Sequence, residues 1–84
     1  MSYQVHWSND ALATLALIWI NGPDRDVITS AQAKIDEVLS KDPLGHGDSV
    51  SEGLFAIEVF PLRALFEISE KDRAVMVVSL GRLS

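Results

Sequence analysis

The sequence has 84 residues and carries twelve acidic against seven basic side chains, a formal net charge of -5 at neutral pH. A chain of this length builds one hydrophobic core, so we predict a single domain over residues 1–84. Nucleic-acid binders usually present a basic patch that displaces counterions from phosphates, so tight, unaided binding to RNA or DNA is not expected. The sequence has no cysteine, which excludes disulfides and thiolate metal ligands.

The first twenty residues predict a strand followed by a helix. Side chains alternate in character over residues 3–7, as in a short strand at the edge of a sheet. Ser8 is a suitable N-cap for a helix over residues 9–20. This helix is apolar on nearly its whole circumference, which so small a domain cannot easily bury. Part of the stretch 17–20 therefore either faces a partner or is covered by a second helix and a loop.

The apolar run in this helix does not predict a membrane span. It covers residues 11–20, whereas crossing a bilayer takes about 20 residues. The N-terminus also lacks a basic region followed by an apolar run, so no signal peptide is predicted. We therefore expect a cytoplasmic protein that does not bind a membrane.

A second helix is predicted over residues 24–40, and residues 44–53 are predicted to form a loop. The tripeptide Asn21-Gly22-Pro23 separates the two helices, and Asp42-Pro43 ends the second. The apolar residues of this helix recur at spacings of three and four and form one stripe: Ile28, Ala31, Ile35, Val38 and Leu39. The two helices then make an antiparallel hairpin whose apolar side can cover a sheet.

The last third of the sequence predicts three antiparallel strands, over residues 54–60, 62–69 and 74–80, because β-branched and aromatic residues dominate it. Alternation gives these strands one wholly apolar face that should pack on the helices: Phe55, Ile57, Val59, Leu62, Ala64, Phe66, Ile68, Val75 and Val77. We therefore predict an α+β fold, with an N-terminal strand and a helix hairpin packed on one face of a four-stranded, mostly antiparallel sheet.

The positions of the turns predict the pairing between these strands. A turn centred on Phe60-Pro61 places Glu58 opposite Arg63 and Ala56 opposite Leu65. A turn centred on Lys71-Asp72 places Phe66 opposite Val77 and Arg63 opposite Leu80.

The opposite face of the sheet is predicted to bind a partner, because it carries an apolar patch with a polar rim. The predicted partner-binding residues are Leu65, Met76, Val78 and Leu80. The alternative is that residues 83–84, or the loop 44–53, fold over this patch and hide it. Near its end lie Arg63 and Arg82, which either form a small phosphate-binding cluster or, in the case of Arg63, pair with the neighbouring Glu58 and Glu67.

Familiar catalytic and metal-binding motifs are not found. His46-Gly47-Asp48 offers one imidazole and one carboxylate, too few ligands for a coordination shell, so no metal is predicted. Neither a nucleophile elbow nor a glycine-rich phosphate cradle is present, and no cofactor is predicted.

The order of strand, helix hairpin and antiparallel strands resembles the RelE/ParE superfamily of toxins from type II toxin–antitoxin systems, which includes plasmid-stabilisation proteins. The stretches that carry the resemblance are Val5-His6-Trp7-Ser8 with the Ala/Leu helix after it, residues 33–39 with Asp42-Pro43, residues 61–68, residues 72–78, and Gly81-Arg82. They span nearly the whole chain.

This resemblance implies three hypotheses. The first is a ParE-like toxin, neutralised by a cognate antitoxin and acting by binding a protein target such as DNA gyrase, without catalytic residues. The second is a ribosome-dependent mRNA endonuclease of RelE type, in which Arg63 and Arg82 match family arginines with a catalytic role. Leu65 and Phe66 replace a further arginine and a tyrosine of that pattern. The third is a non-toxic interaction protein that keeps only the fold. A homodimer is compatible with all three.

Overall fold

The computed structural model describes residues 2–83, which form three helices and five strands. In chain order these are β1 (Gln4–Trp7), α1 (Asn9–Asn21), α2 (Arg25–Lys41), α3 (Pro43–His46), β2 (Asp48–Ser51), β3 (Leu54–Val59), β4 (Leu62–Ser69) and β5 (Ala74–Arg82). The strands make one sheet in the order β1-β5-β4-β3-β2. Strand β1 runs parallel to β5, and the other neighbours are antiparallel.

The two long helices begin and end as the sequence predicts, within one residue. The Ser8 hydroxyl accepts a hydrogen bond from the amide of Ala11 at 3.1 Å, which caps α1. The same hydroxyl donates to the carbonyl of Val78 at 3.2 Å and so fixes the start of α1 against β5. In α2 the buried residues are four of the five members of the predicted stripe: Ile28, Ala31, Ile35 and Leu39. The fifth member, Val38, is half-buried.

The core lies between the helices and one face of the sheet, which we call the helix side. The predicted core face is confirmed: Leu62, Ala64, Phe66, Val75 and Val77 are fully buried there. The ring of Phe66 stacks on that of Phe55, with centroids 5.7 Å apart. A Cβ at Gly47 would lie 2.5 Å from the Phe66 ring, so this position accepts only glycine without repacking the core.

The sheet has five strands, and the prediction of four was wrong. The extra strand is β2, Asp48–Ser51, which pairs with β3 inside the stretch predicted as a loop. All four of its residues are exposed. A strand that buries neither face has no hydrophobic alternation, so the sequence carries no periodic signal for it. The sheet is mixed, with one parallel pair, β1 with β5, and three antiparallel pairs.

The predicted register is confirmed up to Val77 and wrong beyond it. Glu58 lies opposite Arg63, and Phe66 lies opposite Val77, as predicted. Arg63, however, pairs with Gly81 rather than Leu80. The cause is a β-bulge, in which Val78 is an extra residue between the pairs Phe66–Val77 and Leu65–Ser79. From Ser79 on, each residue of β5 faces the side opposite to the one predicted.

Candidate partner-binding surface

The face of the sheet turned away from α1 and α2, which we call the outer sheet face, carries part of the predicted surface. Met76 is 39% exposed there and lies between His6 on β1 and Glu67 on β4. These three side chains line a shallow cleft of about 440 Å³. Leu65 and Val78 are half-buried and do not pack against the core cluster. The outer sheet face therefore brings together Leu65, Met76 and Val78, three of the four predicted partner-binding residues.

Leu80 is the exception, and the prediction that it lies on this patch was wrong. Its side chain is 7% exposed and belongs to the core cluster, opposite Ala64. The bulge at Val78 turns Leu80 to the helix side. Leu80 therefore contributes to folding rather than to an exposed surface.

The patch is not hidden by the segments that could have covered it. The predicted loop becomes α3 and β2, and β2 extends the sheet at its edge beside β3. The amide of Leu83 donates to the carbonyl of Pro61 at 2.7 Å, which continues the path of β5. Ser84 lies outside the described residues.

Arg63 lies on the outer sheet face and pairs with Glu58. Its Nε is 3.3 Å from the Glu58 carboxylate, and the two side chains are 43% and 58% exposed. Solvent screens a pair as exposed as this one, so it contributes about 0.2–1 kcal/mol. The predicted cross-strand ion pair is therefore confirmed for Glu58.

Arg82 lies on the helix side, so the structure does not bring it together with Arg63. Its guanidinium donates to Asp24 Oδ2 at 2.8 Å, and this pair joins the end of β5 to the start of α2. Asp24 Oδ1 is buried without a hydrogen-bond partner. Gly22 makes room for this carboxylate, because a Cβ there would lie 2.8 Å from Oδ1. The predicted cluster of two phosphate-binding arginines is therefore wrong.

The hydrogen bond from Arg82 lowers the pKa of Asp24 below its ordinary value of 3.8, and the positive charge of the guanidinium adds to this. A carboxylate whose pKa is lower in the folded state stabilises the fold above its unfolded pKa, and this stabilisation is lost as the pH falls through the folded pKa. We expect Asp24→Asn to melt at a lower temperature than the wild type at pH 7, with a difference that shrinks below about pH 4. Thermal unfolding followed by circular dichroism between pH 7 and pH 3 measures this, and a difference that does not change with pH would contradict it.

The other two arginines also have partners within the fold. The Arg25 Nε donates to the carbonyl of Trp19 at 3.2 Å, and its guanidinium lies 4.6 Å from the centre of the Trp19 ring. The guanidinium of Arg73 lies 3.8 Å from Glu70 and 4.9 Å from the centre of the Tyr3 ring. Each of the four arginines is thus held by an acidic, carbonyl or aromatic group, so an arginine that bound a phosphate backbone would first have to give up that contact.

A second apolar surface lies on α1. Ala11 is the buried residue of this helix, whereas the exposed fractions of Leu17, Ile20 and Leu12 are 60%, 58% and 45%. Within the stretch 17–20, Leu17, Trp19 and Ile20 are exposed and Ile18 packs against the core cluster, so the second helix and the loop do not cover the whole stretch. The nearly continuous apolar circumference of α1 was the sequence signal for this surface.

Two further properties concern residues 2–83 as a whole. In this range no helix is long and apolar enough to cross a membrane. No group of three or more histidine, aspartate and glutamate residues in the same range is arranged to hold a metal ion.

Comparison with known proteins gives matches among solved structures. No protein-family model and no curated protein matches the sequence. The toxin–antitoxin complex RelBE2 from Mycobacterium tuberculosis matches with a TM-score of 0.80 and 22% identity, over 98% of this chain and 99% of that chain. The archaeal RelE–RelB complex from Pyrococcus horikoshii matches with a TM-score of 0.72 and 13% identity, over 98% and 96%. The chromosomal ParDE system from P. aeruginosa matches with a TM-score of 0.70 and 16% identity, over 98% and 97%. The chain therefore has the fold of the RelE/ParE toxins, as its sequence motifs predicted.

Proposed function

We propose that this chain is the toxin component of a type II toxin–antitoxin pair, bound by a cognate antitoxin and acting by docking on a protein target. The observation that carries the proposal is the likeness over 98% of the chain to solved toxin–antitoxin systems. Domains of this fold that occur in such complexes need a surface for the antitoxin. The outer sheet face supplies one, with the apolar side chains Leu65, Met76 and Val78 inside a rim that includes Glu67 and Arg63.

Docking rather than catalysis is supported by the charges. Cleavage of RNA through its 2′-hydroxyl needs a base, an acid and cations around the scissile phosphate. Arg63 is the arginine of the outer sheet face, and it is paired with Glu58. Arg82, the other cation that the family resemblance suggested, bonds Asp24 on the helix side. With a net charge of -5, the chain is better suited to a partner that carries basic residues.

A ribosome-dependent endonuclease is the second candidate, and one observation favours it. His6 and Glu67 line the same cleft on the outer sheet face, and they are groups that can move protons. Met76 of β5 lies between them, with His6 on β1 at one side and Glu67 on β4 at the other. This candidate requires Arg63 to leave Glu58 and contact the RNA.

Expression in a bacterial host tests the proposal and separates the candidates. We expect induction of the chain to arrest growth, and we expect a small gene adjacent to its own to encode an antitoxin whose co-expression restores growth. Primer-extension mapping on translating ribosomes should show no cleavage, whereas supercoiling by purified DNA gyrase should fall if gyrase is the target. Cleavage that disappears in Arg63→Ala or His6→Ala would establish the endonuclease instead. Binding of the small-gene product without growth arrest would identify a non-toxic interaction protein.

A further inference from the structure

The exposed side of α1 is an apolar face that nothing within residues 2–83 covers. It consists of the apolar residues within about half of the helix circumference, which follow the polar first turn of Asn9 and Asp10 on the same side: Leu12, Ala13, Ala16, Leu17 and Ile20. All five are exposed. Because the side chains of residues 13 and 16 end at Cβ, another helix could approach the backbone of α1 closely at this point. We call these five residues the α1 face.

The α1 face has the shape of a ridge with a groove on each side. Leu17 and Ile20 form the ridge. On the α2 side, a groove of about 300 Å³ is lined by Leu12, Leu15, Ala16, Trp19, Ile20, Thr29 and Gln32. On the β5 side, a groove of about 340 Å³ is lined by Leu17, Ile18, Asn21, Gly22, Pro23 and Arg82. Helices pack by placing the ridge of one into the groove of the other, and this face offers both.

The distribution of charge indicates which partner fits. Residues 11–23 are the longest stretch of the sequence without an ionisable side chain. Two copies of a chain with a net charge of -5 repel each other, and they do so least where they meet through an uncharged surface. A basic partner, in contrast, would find a single carboxylate beside the α1 face, that of Asp10 at its N-terminal edge. A second copy of this chain therefore suits the face better than a charged partner does.

We propose that α1 packs antiparallel against α1 of a second copy, about a two-fold axis that passes near Ala16. In this arrangement Ile20 of each protomer enters the groove beside Leu12 of its partner, so the contact is the same from both sides. A helix of 13 residues is about 20 Å long. One helix pair of this length is smaller than a standard interface, so the dimer dissociates on dilution. This proposal rests on α1 alone and does not depend on the proposed function.

Sedimentation of the purified chain over a range of concentrations tests this proposal. The wild type should shift from monomer to dimer as the concentration rises, and Ile20→Glu should remain a monomer because it places a carboxylate in the contact. The matched control is Phe60→Glu, since Phe60 is 70% exposed, lies outside α1 and should leave the dimer intact. The melting temperature of each variant checks that it is folded.

The absence of cysteine allows a second, independent test by cross-linking. Under mild oxidation Ala16→Cys should form a covalent dimer, because a two-fold axis near this residue brings the two Cα atoms within the 7 Å or so that a disulfide spans. The control Ser30→Cys, at an exposed position of α2, should stay monomeric. A wild type that is monomeric at every concentration, or equal cross-linking of the two variants, would overturn the proposal. Loss of antitoxin binding in Ile20→Glu, with the wild type a monomer, would assign the α1 face to the antitoxin and would overturn it too.

Discussion

Replacing Leu80 with serine should lower the free energy of unfolding by about 3 kcal/mol or more. Leu80 is 7% exposed and belongs to the core cluster between the sheet and the helices. The substitution removes buried methyl groups and leaves a cavity. It also places a hydroxyl group in an apolar part of the core. A domain of this size has a total stability of roughly 5–15 kcal/mol, so a large part of it would be lost.

Urea denaturation of Leu80→Ser beside Met76→Ser measures this effect with a control from the same strand. Met76 is 39% exposed on the outer sheet face, so its replacement should change the free energy of unfolding by less than about 1 kcal/mol. Strict alternation of side chains along β5, as predicted from the sequence, would place both residues on one face and would give the two variants similar free energies of unfolding. Equal midpoints for the two variants would therefore mean that the bulge at Val78 does not exist in solution.

The bulge also explains which part of the sheet could be predicted from the sequence. Alternation of apolar side chains identified the core face from Phe55 to Val77, because one face of these strands is fully packed. Beyond Val77 the residues Val78, Ser79 and Leu80 fit either register. The choice is made by contacts outside the strand, such as the hydrogen bond from Ser8 to the carbonyl of Val78. Local periodicity does not include these contacts.

The positions of the arginines were predicted only where a neighbouring strand determined them. Arg63 and Glu58 face each other across one tight turn, so their pairing followed from the register. Arg82 and Asp24 are far apart in the sequence and meet only because β5 ends beside the start of α2. Similarly, α1 is apolar on nearly its whole circumference, so the sequence alone did not show which side the rest of the domain would cover. The position of α2 decided it.

If the chain binds an antitoxin as we propose, the double substitution Leu65→Ser and Met76→Ser should weaken that binding by about 30-fold or more. Interface residues whose removal costs at least about 2 kcal/mol cluster near the centre of the interface, where their side chains are fully desolvated. A cost of that size corresponds to roughly a 30-fold change in the dissociation constant. Leu65 and Met76 supply the centre of the outer sheet face, between the cleft at His6 and the ion pair of Arg63.

Calorimetric titration of the purified chain with the product of the adjacent small gene measures this loss. The matched control is Phe60→Ser, which removes a side chain that is 70% exposed and lines a cleft with Val27 and Ser30 of α2. It should leave the affinity unchanged. An affinity that is retained in the double variant and lost in the control would move the antitoxin site to the helix side.

The same double variant separates the site of the antitoxin from the site of the target. If the antitoxin neutralises by covering the surface that docks on the target, Leu65→Ser with Met76→Ser should lose growth arrest together with antitoxin binding. If the two surfaces are distinct, the variant should still arrest growth and should no longer be rescued by the antitoxin. We expect joint loss, because the outer sheet face is the one described surface that combines exposed Met76 and half-buried Leu65 and Val78 with an arginine, two glutamates and a histidine. Growth curves with and without the antitoxin distinguish these outcomes, provided that the melting temperature shows the variant to be folded.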